Sequence, residues 1–188
     1  MPDPAPIAAV QVELVVHPGV PELLSDHECR RALTAALVAG GAPAGAVVTL
    51  TLSDDGELAE LNEAHMGKAG PTDVLSFPLL PPAAFPEHPG QRPEVRGQLA
   101  AFVLPPGEAP HLGDVIISVE RAIEQAASGS GGQTGDIGWA PSDELRLLIT
   151  HGGLHLGGWD HADPIEEAAM RALEQELLGI EPGASGLE

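Results

Sequence analysis

Basic side chains are scarce in this chain. Lysine and arginine together number 8 against 28 aspartates and glutamates in 188 residues, for a formal net charge of −20. That balance opposes the approach of a polyanion, so free nucleic acid is expected to bind poorly unless a local basic cleft forms within the acidic body, a protein partner delivers it, or a salt-rich setting screens the charge; the acidity could equally serve solubility alone. Arg30, Arg31, Lys68, Arg92, Arg96, Arg121, Arg146 and Arg171 are scattered rather than clustered. Cysteine is nearly absent: Cys29 stands alone, cannot form an internal disulfide, and shares an apolar helical spacing with Leu33 and Ala36, which marks it as a buried thiol. Long apolar runs are missing too. Pro, Gly or charge interrupts every stretch before the roughly 18 to 20 residues of a spanning helix, and no membrane partner is expected. Met1-Pro2-Asp3-Pro4 lacks the basic start and apolar core of a secretion signal. A cytoplasmic location follows as the expectation.

What remains is enough for one domain, read as residues 1–180 with a disordered tail at 181–188. The pattern is α+β: a small mixed sheet of about four strands packed against about five helices. Val10, Val12, Leu14 and Val16 alternate with other residues as a first strand, and Val48, Leu50 and Leu52 do so more cleanly. Between them Pro21 to Val38 reads as a helix with Pro21 in its first turn, stopped by Gly40-Gly41. Ser53 opens a short helix toward Met66. Thr72–Phe77 and Gly113–Ser118 are two further strands, the second feeding a helix from Val119 to Ala127, and 128–135 is a Gly- and Ser-rich loop. A final helix starts at Asp163-Pro164-Ile165-Glu166, lines Ile165, Ala169, Ala172, Leu173 and Leu177 on one side, and ends at Gly179. The Pro-rich stretch 79–110 reads as an insertion, either an ordered excursion or a lid.

The chemistry concentrates in His151-Gly152-Gly153-Leu154-His155-Leu156-Gly157-Gly158-Trp159-Asp160-His161. Pro141, Ser142, Asp143 and Glu144 give a helix start ahead of it, with a capping hydroxyl and carboxylates near the positive N-terminus. Leu145, Leu148, Ile149, Gly152 and Leu156 then form a core-facing stripe. Leu147, His151 and His155 border that stripe, so two imidazoles one turn apart can bite one metal. Gly157-Gly158 breaks the helix and lets His161 return from a loop. Three imidazoles that leave a fourth position for water suit a catalytic Zn2+, one per chain. Asp160 is a candidate to orient a ligand imidazole by accepting its second N–H.

The spacing matches the HExxHxxGxxH pattern of metzincin peptidases except that Gly152 stands where their general-base Glu would be. Peptide hydrolysis is therefore disfavoured. The run HGGLHLGGWDH resembles, almost residue for residue, the HGxLHLxGyDH signature of the YbeY family of bacterial endoribonucleases. Leu61-Asn62 leading to Pro71-Thr72-Asp73-Val74-Leu75-Ser76-Phe77-Pro78, and Leu112-Gly113-Asp114-Val115-Ile116-Ile117-Ser118, are similar to that family in the same order. The resemblance implies that His151, His155 and His161 are the zinc ligands. It also implies a single-strand-specific, metal-dependent endoribonuclease of ribosomal RNA processing, in small-subunit 3′-end maturation and ribosome quality control. Its partners would be single-stranded ribosomal RNA and the ribosome or its proteins, not DNA.

Two departures from that pattern stand out. Met66 occupies what matches an arginine position in the family, and the 79–110 stretch is longer than usual. Lys68, two residues on, could supply a point charge without arginine's planar fork, and Ser76 is a further candidate for substrate contact. Asp73 and Asp114 read as structural hydrogen-bonding groups, and His65 and His111 as surface residues. No general acid is evident in the sequence. The alternative reading is a metal-stabilised ribosome-associated assembly factor with little or no cleavage. Met66 and the acidity both encourage it, and a cleft beside the histidines lined by acidic groups alone would make RNA chemistry there doubtful.

Overall fold

A computed structural model describes residues 10–91, 109–128 and 139–180 of the chain. The strands are β1 (Gln11–Val16), β2 (Val47–Ser53), β3 (Val74–Pro78) and β4 (His111–Ser118). They form one sheet in the order β1-β2-β4-β3, with β1, β2 and β4 parallel and β3 antiparallel to β4 at the edge. The helices are α1 (Asp26–Ala39), α2 (Asp55–Leu61), α3 (Val119–Ser128), α4 (Pro141–Leu156) and α5 (Pro164–Leu178). The α+β architecture with a mixed four-stranded sheet and five helices is the one expected. No helix among the described residues is long and apolar enough to cross a membrane.

Several boundaries differ from the sequence reading, each for a local reason. Helix α1 begins at Asp26, not Pro21, because Ser25 and Glu28 form a reciprocal capping box: the Ser25 amide donates to Glu28 Oε2 at 3.0 Å, and the Glu28 amide donates to Ser25 Oγ at 3.4 Å. Asp54, not Ser53, caps α2 by accepting the Glu57 amide; Ser53 remains the last strand residue and is fully buried. A π-helical turn, Asn62–Met66, follows α2 and ends at Gly67. Pro141 opens α4 with Ala140 as the cap residue, so Ser142 supplies no cap; the Asp143 carboxylate accepts the Ala140 amide instead. Strand β3 starts at Val74 and β4 at His111, each two residues from the expected position.

Helix α4 lies at the centre, between the sheet and α1. Its stripe of Leu145, Leu148, Ile149, Gly152 and Leu156 is buried as expected. Gly152 and Gly153 allow the close approach on the two sides: a Cβ at Gly152 would stand 2.6 Å from Val115 Cγ1, and one at Gly153 2.8 Å from Leu33 Cδ1. No larger residue fits either place without moving the sheet or α1. Ser76 Oγ on β3 also ties strand to helix by donating to the Gly152 carbonyl at 3.0 Å. Cys29 is buried in the core, and burial pushes its thiol up to about 11, as an inert structural cysteine requires.

Helix α5 is rotated from the expected face. Ile165 is 72% exposed and Ala172 is exposed, whereas Glu166, Met170 and Glu174 are buried and Ala169, Leu173 and Leu177 are half-buried. Two inward carboxylates shift the face, and an apolar tally could not anticipate that. Of the 79–110 stretch, residues 79–91 and 109–110 are described: Leu80 and Phe85 are buried in the core, with a 3-10 turn at Pro82–Ala84. Residues 92–108, most of the 128–135 loop and the tail from 181 lie outside the described residues.

Candidate metal centre

The last two turns of α4 and the loop after it bring three imidazoles together. One ring nitrogen from each of His151, His155 and His161 lies within 4.8 Å of the others. The Nε2 atoms of His151 and His155 are 3.0 Å apart, and the three ring centroids are separated by 4.5, 5.1 and 5.5 Å. Three nitrogens on one tetrahedral zinc at bond lengths near 2.05 Å would be about 3.3 Å apart, so the cluster needs only small side-chain adjustment to close on one ion. His161 arrives as expected: α4 stops at Gly157, and Gly158 turns the chain at φ +80°, a conformation that favours glycine.

The remaining ring nitrogens of His151 and His155 are held from behind. His151 Nδ1 lies 2.7 Å from Glu174 Oε1 on α5, and His155 Nδ1 lies 2.9 Å from the Trp159 carbonyl. An acceptor at Nδ1 places the proton there and leaves the Nε2 lone pair for a cation. His155 is further kept neutral: burial first, then the proximity of His151 and His161, pushes it down to about 4. The donor set therefore fits a divalent ion of zinc's kind without the loss of a proton from His155 at neutral pH.

Neither Glu174 nor Trp159 was assigned this role from sequence. Glu174 lies 13 residues beyond His161, on a helix whose inward side was read as apolar. Its one sequence signal is the spacing of Glu166, Met170 and Glu174 along a single face. His88, isolated in the sequence, proves to brace the metal loop. Its ring stacks on Trp159 at 4.1 Å, and its Nε2 lies 3.4 Å from the Gly157 carbonyl. The Asp160 amide donates to the Gly90 carbonyl at 2.8 Å, so residues 88–90 of the Pro-rich stretch clasp the segment that carries His161.

The other candidates fall as follows. Asp160 Oδ1 accepts the backbone N–H of His161 at 2.8 Å. Ser76 lines the cleft beside the histidines, with its proton directed to Gly152. Met66 lines that cleft as well, whereas Lys68 is exposed and lines neither cavity at the cluster. Asp73 accepts from the Val74 amide, Thr72 Oγ1 and Gln125 Nε2, a structural role as expected. His65 is exposed and meets Phe77 edge-on. His111 is half-buried, 3.3 Å from Thr49 Oγ1, rather than at the surface, because β4 begins there.

The cleft has a volume of about 520 Å³ and runs from β3 to the loop of Trp159 and His161. Its charged lining among the described residues, apart from the histidines, is Asp73 and Asp160. At Gly152, the place of a peptidase general base, the missing side chain would point at Val115 and Val74 of the sheet and not into solvent. The site is therefore shaped for something other than the peptidase proton shuttle.

Comparison with known proteins agrees with this geometry. The family model described as Endoribonuclease YbeY matches residues 20–180. The chain belongs to the YbeY family. Its relatives named Endoribonuclease YbeY include one from Symbiobacterium thermophilum, 40% identical over 84% of this chain and 88% of that protein. Others are from Chloroflexus aurantiacus, 36% identical over 80% and 82%, and Roseiflexus castenholzii, 32% identical over 92% and 93%. The chain is also similar to the solution structure of TM1509 from Thermotoga maritima, at 19% identity and a TM-score of 0.48, over 95% of this chain and 99% of that one. The histidine segment and β3 line the cleft, and β4 pairs with β3 and sets Val115 against Gly152.

Proposed function

We propose that this YbeY protein is a metal-dependent endoribonuclease that cuts single-stranded regions of ribosomal RNA, with His151, His155 and His161 holding one Zn2+. The observation that carries the reading is the convergence of three imidazoles at the floor of an open cleft, in a family whose members are named endoribonucleases. When bound, the ion would supply Lewis acidity toward a phosphodiester and a nucleophile available near neutral pH. The chain's own contribution is positional: Glu174 and the Trp159 carbonyl fix two imidazoles, Asp160 and Gly90 fix the loop of the third, and Gly152 lets α4 sit close enough to β3 for the cleft to form.

The finer assignments belong to the same proposal. Zinc suits a donor set of three neutral imidazoles, and copper or nickel would compete by availability. The role is placed in small-subunit RNA 3′-end maturation and ribosome quality control, in the cytoplasm, on RNA and ribosomal partners rather than DNA. Residues 1–180 are read as a single domain, with 79–110 as an insertion and 181–188 as a tail.

A second reading, a ribosome-associated assembly factor stabilised by its metal, draws on one observation: among the described residues the β3-side cleft offers two carboxylates and no cation. Zinc-loaded protein incubated with single-stranded RNA, with a small-subunit precursor and with casein, each with and without chelator, separates the readings. The endoribonuclease reading expects chelator-sensitive cleavage of RNA and none of casein. Loss of structure on chelation without cleavage of any RNA would overturn it in favour of the assembly factor.

A further inference from the structure

Two cavities meet at the histidine cluster, and they differ in charge. A phosphodiester on the β3 side would face Asp73, Asp160 and the apolar Met66, with no lysine or arginine beside them among the described residues. The second cavity, of about 340 Å³, opens on the α5 side, and its wall joins His151 and His161 to Arg171. Among the described cations Arg171 alone shares a cavity wall with the histidines. Arg121 is engaged by Asp55 and Glu124, Arg146 by Asp143 and Glu28, and Arg30 by the Val12 carbonyl; Arg31 and Lys68 line neither cavity.

We propose that Arg171 holds a backbone phosphate of the RNA in the α5-side cavity, beside His151 and His161. The proposal rests on the endoribonuclease reading and deepens it by naming the substrate-phosphate cation.

The position of Arg171 is set by its neighbours. It lies three residues before Glu174, one helical turn from the carboxylate that grips His151, and directly after the buried Met170. Its backbone is therefore registered to the cluster. Its side chain is half exposed and makes one i,i+4 pair, Nη2 to Glu167 Oε1 at 2.7 Å. An exposed pair of this kind is weakly held, and the planar guanidinium has five donors, so a second edge is free in geometry to meet a phosphate bidentately.

The two carboxylates of the same wall set the selectivity. Glu174 is turned to His151, and Glu167 competes with any anion for Arg171. A phosphate is held there only in company with the cation at the histidines, which keeps an acidic protein from gathering anions indiscriminately.

The test uses zinc-loaded full-length protein and a fluorescein-labelled, single-stranded 2′-O-methyl RNA, checked intact after each titration. Binding is followed by anisotropy as salt is raised. In Arg171→Ala, Kd should rise about fivefold or more, and the slope of log Kd against log salt should fall by about 0.7, one phosphate's worth on a single strand. Arg171→Lys should keep the slope, Glu167→Gln should tighten binding, and Arg31→Ala should change neither, with zinc content unaltered in all four. With ordinary RNA, KM should follow Kd. Wild-type Kd and slope in Arg171→Ala, with the wild type still binding and cleaving, would overturn this proposal alone. A wild-type protein that neither binds nor cleaves RNA would overturn the endoribonuclease reading and this proposal with it.

Discussion

The carboxylate of Glu174, on α5, lies 2.7 Å from Nδ1 of His151, on α4, and only 3% of Glu174 is exposed. A buried carboxylate directed at the back of an imidazole fixes its tautomer and ring orientation. It also couples the last helix of the fold to the cluster.

Replacement of Glu174 therefore acts on the metal before it acts on the fold. Glu174→Ala should weaken zinc affinity by about 10- to 100-fold, with Glu174→Gln intermediate because its amide oxygen can still accept the Nδ1 proton. Competition with a chromophoric chelator measures the affinity, and thermal unfolding of the metal-free proteins gives the fold's own response. Equal zinc affinity in Glu174→Ala and wild type would remove Glu174 from the account.

Gly152→Glu recreates the peptidase pattern HExxH in sequence but not in space. Its Cβ would press within 2.6 Å of Val115 Cγ1 and 3.0 Å of Val74 Cγ2, with a carboxylate driven against the sheet. Overpacking together with burial of an unpartnered charge should cost at least about 3 kcal/mol, read from urea midpoints. Casein hydrolysis should not appear. A stable, caseinolytic variant would show that α4 presents this position to solvent.

The pH response of the fold should show one buried acid. Glu144 is 1% exposed, its Oε2 has no hydrogen-bond partner, and burial, reinforced by the negative charge of Asp73, pushes its carboxyl up from 4.5 to about 7. The folded state thus holds this proton more tightly than the unfolded chain does. The resulting stability is full below pH 4.5 and is lost as pH rises to about 7. Glu144→Gln should erase that loss and be more stable than wild type at pH 8, by on the order of 1 to 3 kcal/mol, with the gap closing toward pH 4.5. Urea unfolding of both proteins at several pH values checks it; parallel curves would contradict it.

The sequence disclosed the parts of this fold that repeat at a simple period. The stripe of α4, the alternation in β2 and the spacing of His151 and His155 follow from one residue's relation to the next, so both the sheet and the histidine cluster could be anticipated. What stayed hidden depends on contacts across the fold. Pro21 looked like a helix start until the Ser25–Glu28 box placed the cap five residues before Arg30 and four after Pro21. Ile165 looked inward until Glu174 met His151 and turned α5. His88 had no argument of its own because its meaning lies in Trp159, 71 residues away in sequence and 4.1 Å away in space.

The most direct test of the central claim is the zinc stoichiometry of His155→Ala beside that of the wild type, taken by elemental analysis after stripping, reloading and removal of free ion. One ion per wild-type chain and none in the variant, with far-ultraviolet circular dichroism showing both folded, is the expected result. One firmly held ion in His155→Ala would contradict a centre built on His151, His155 and His161.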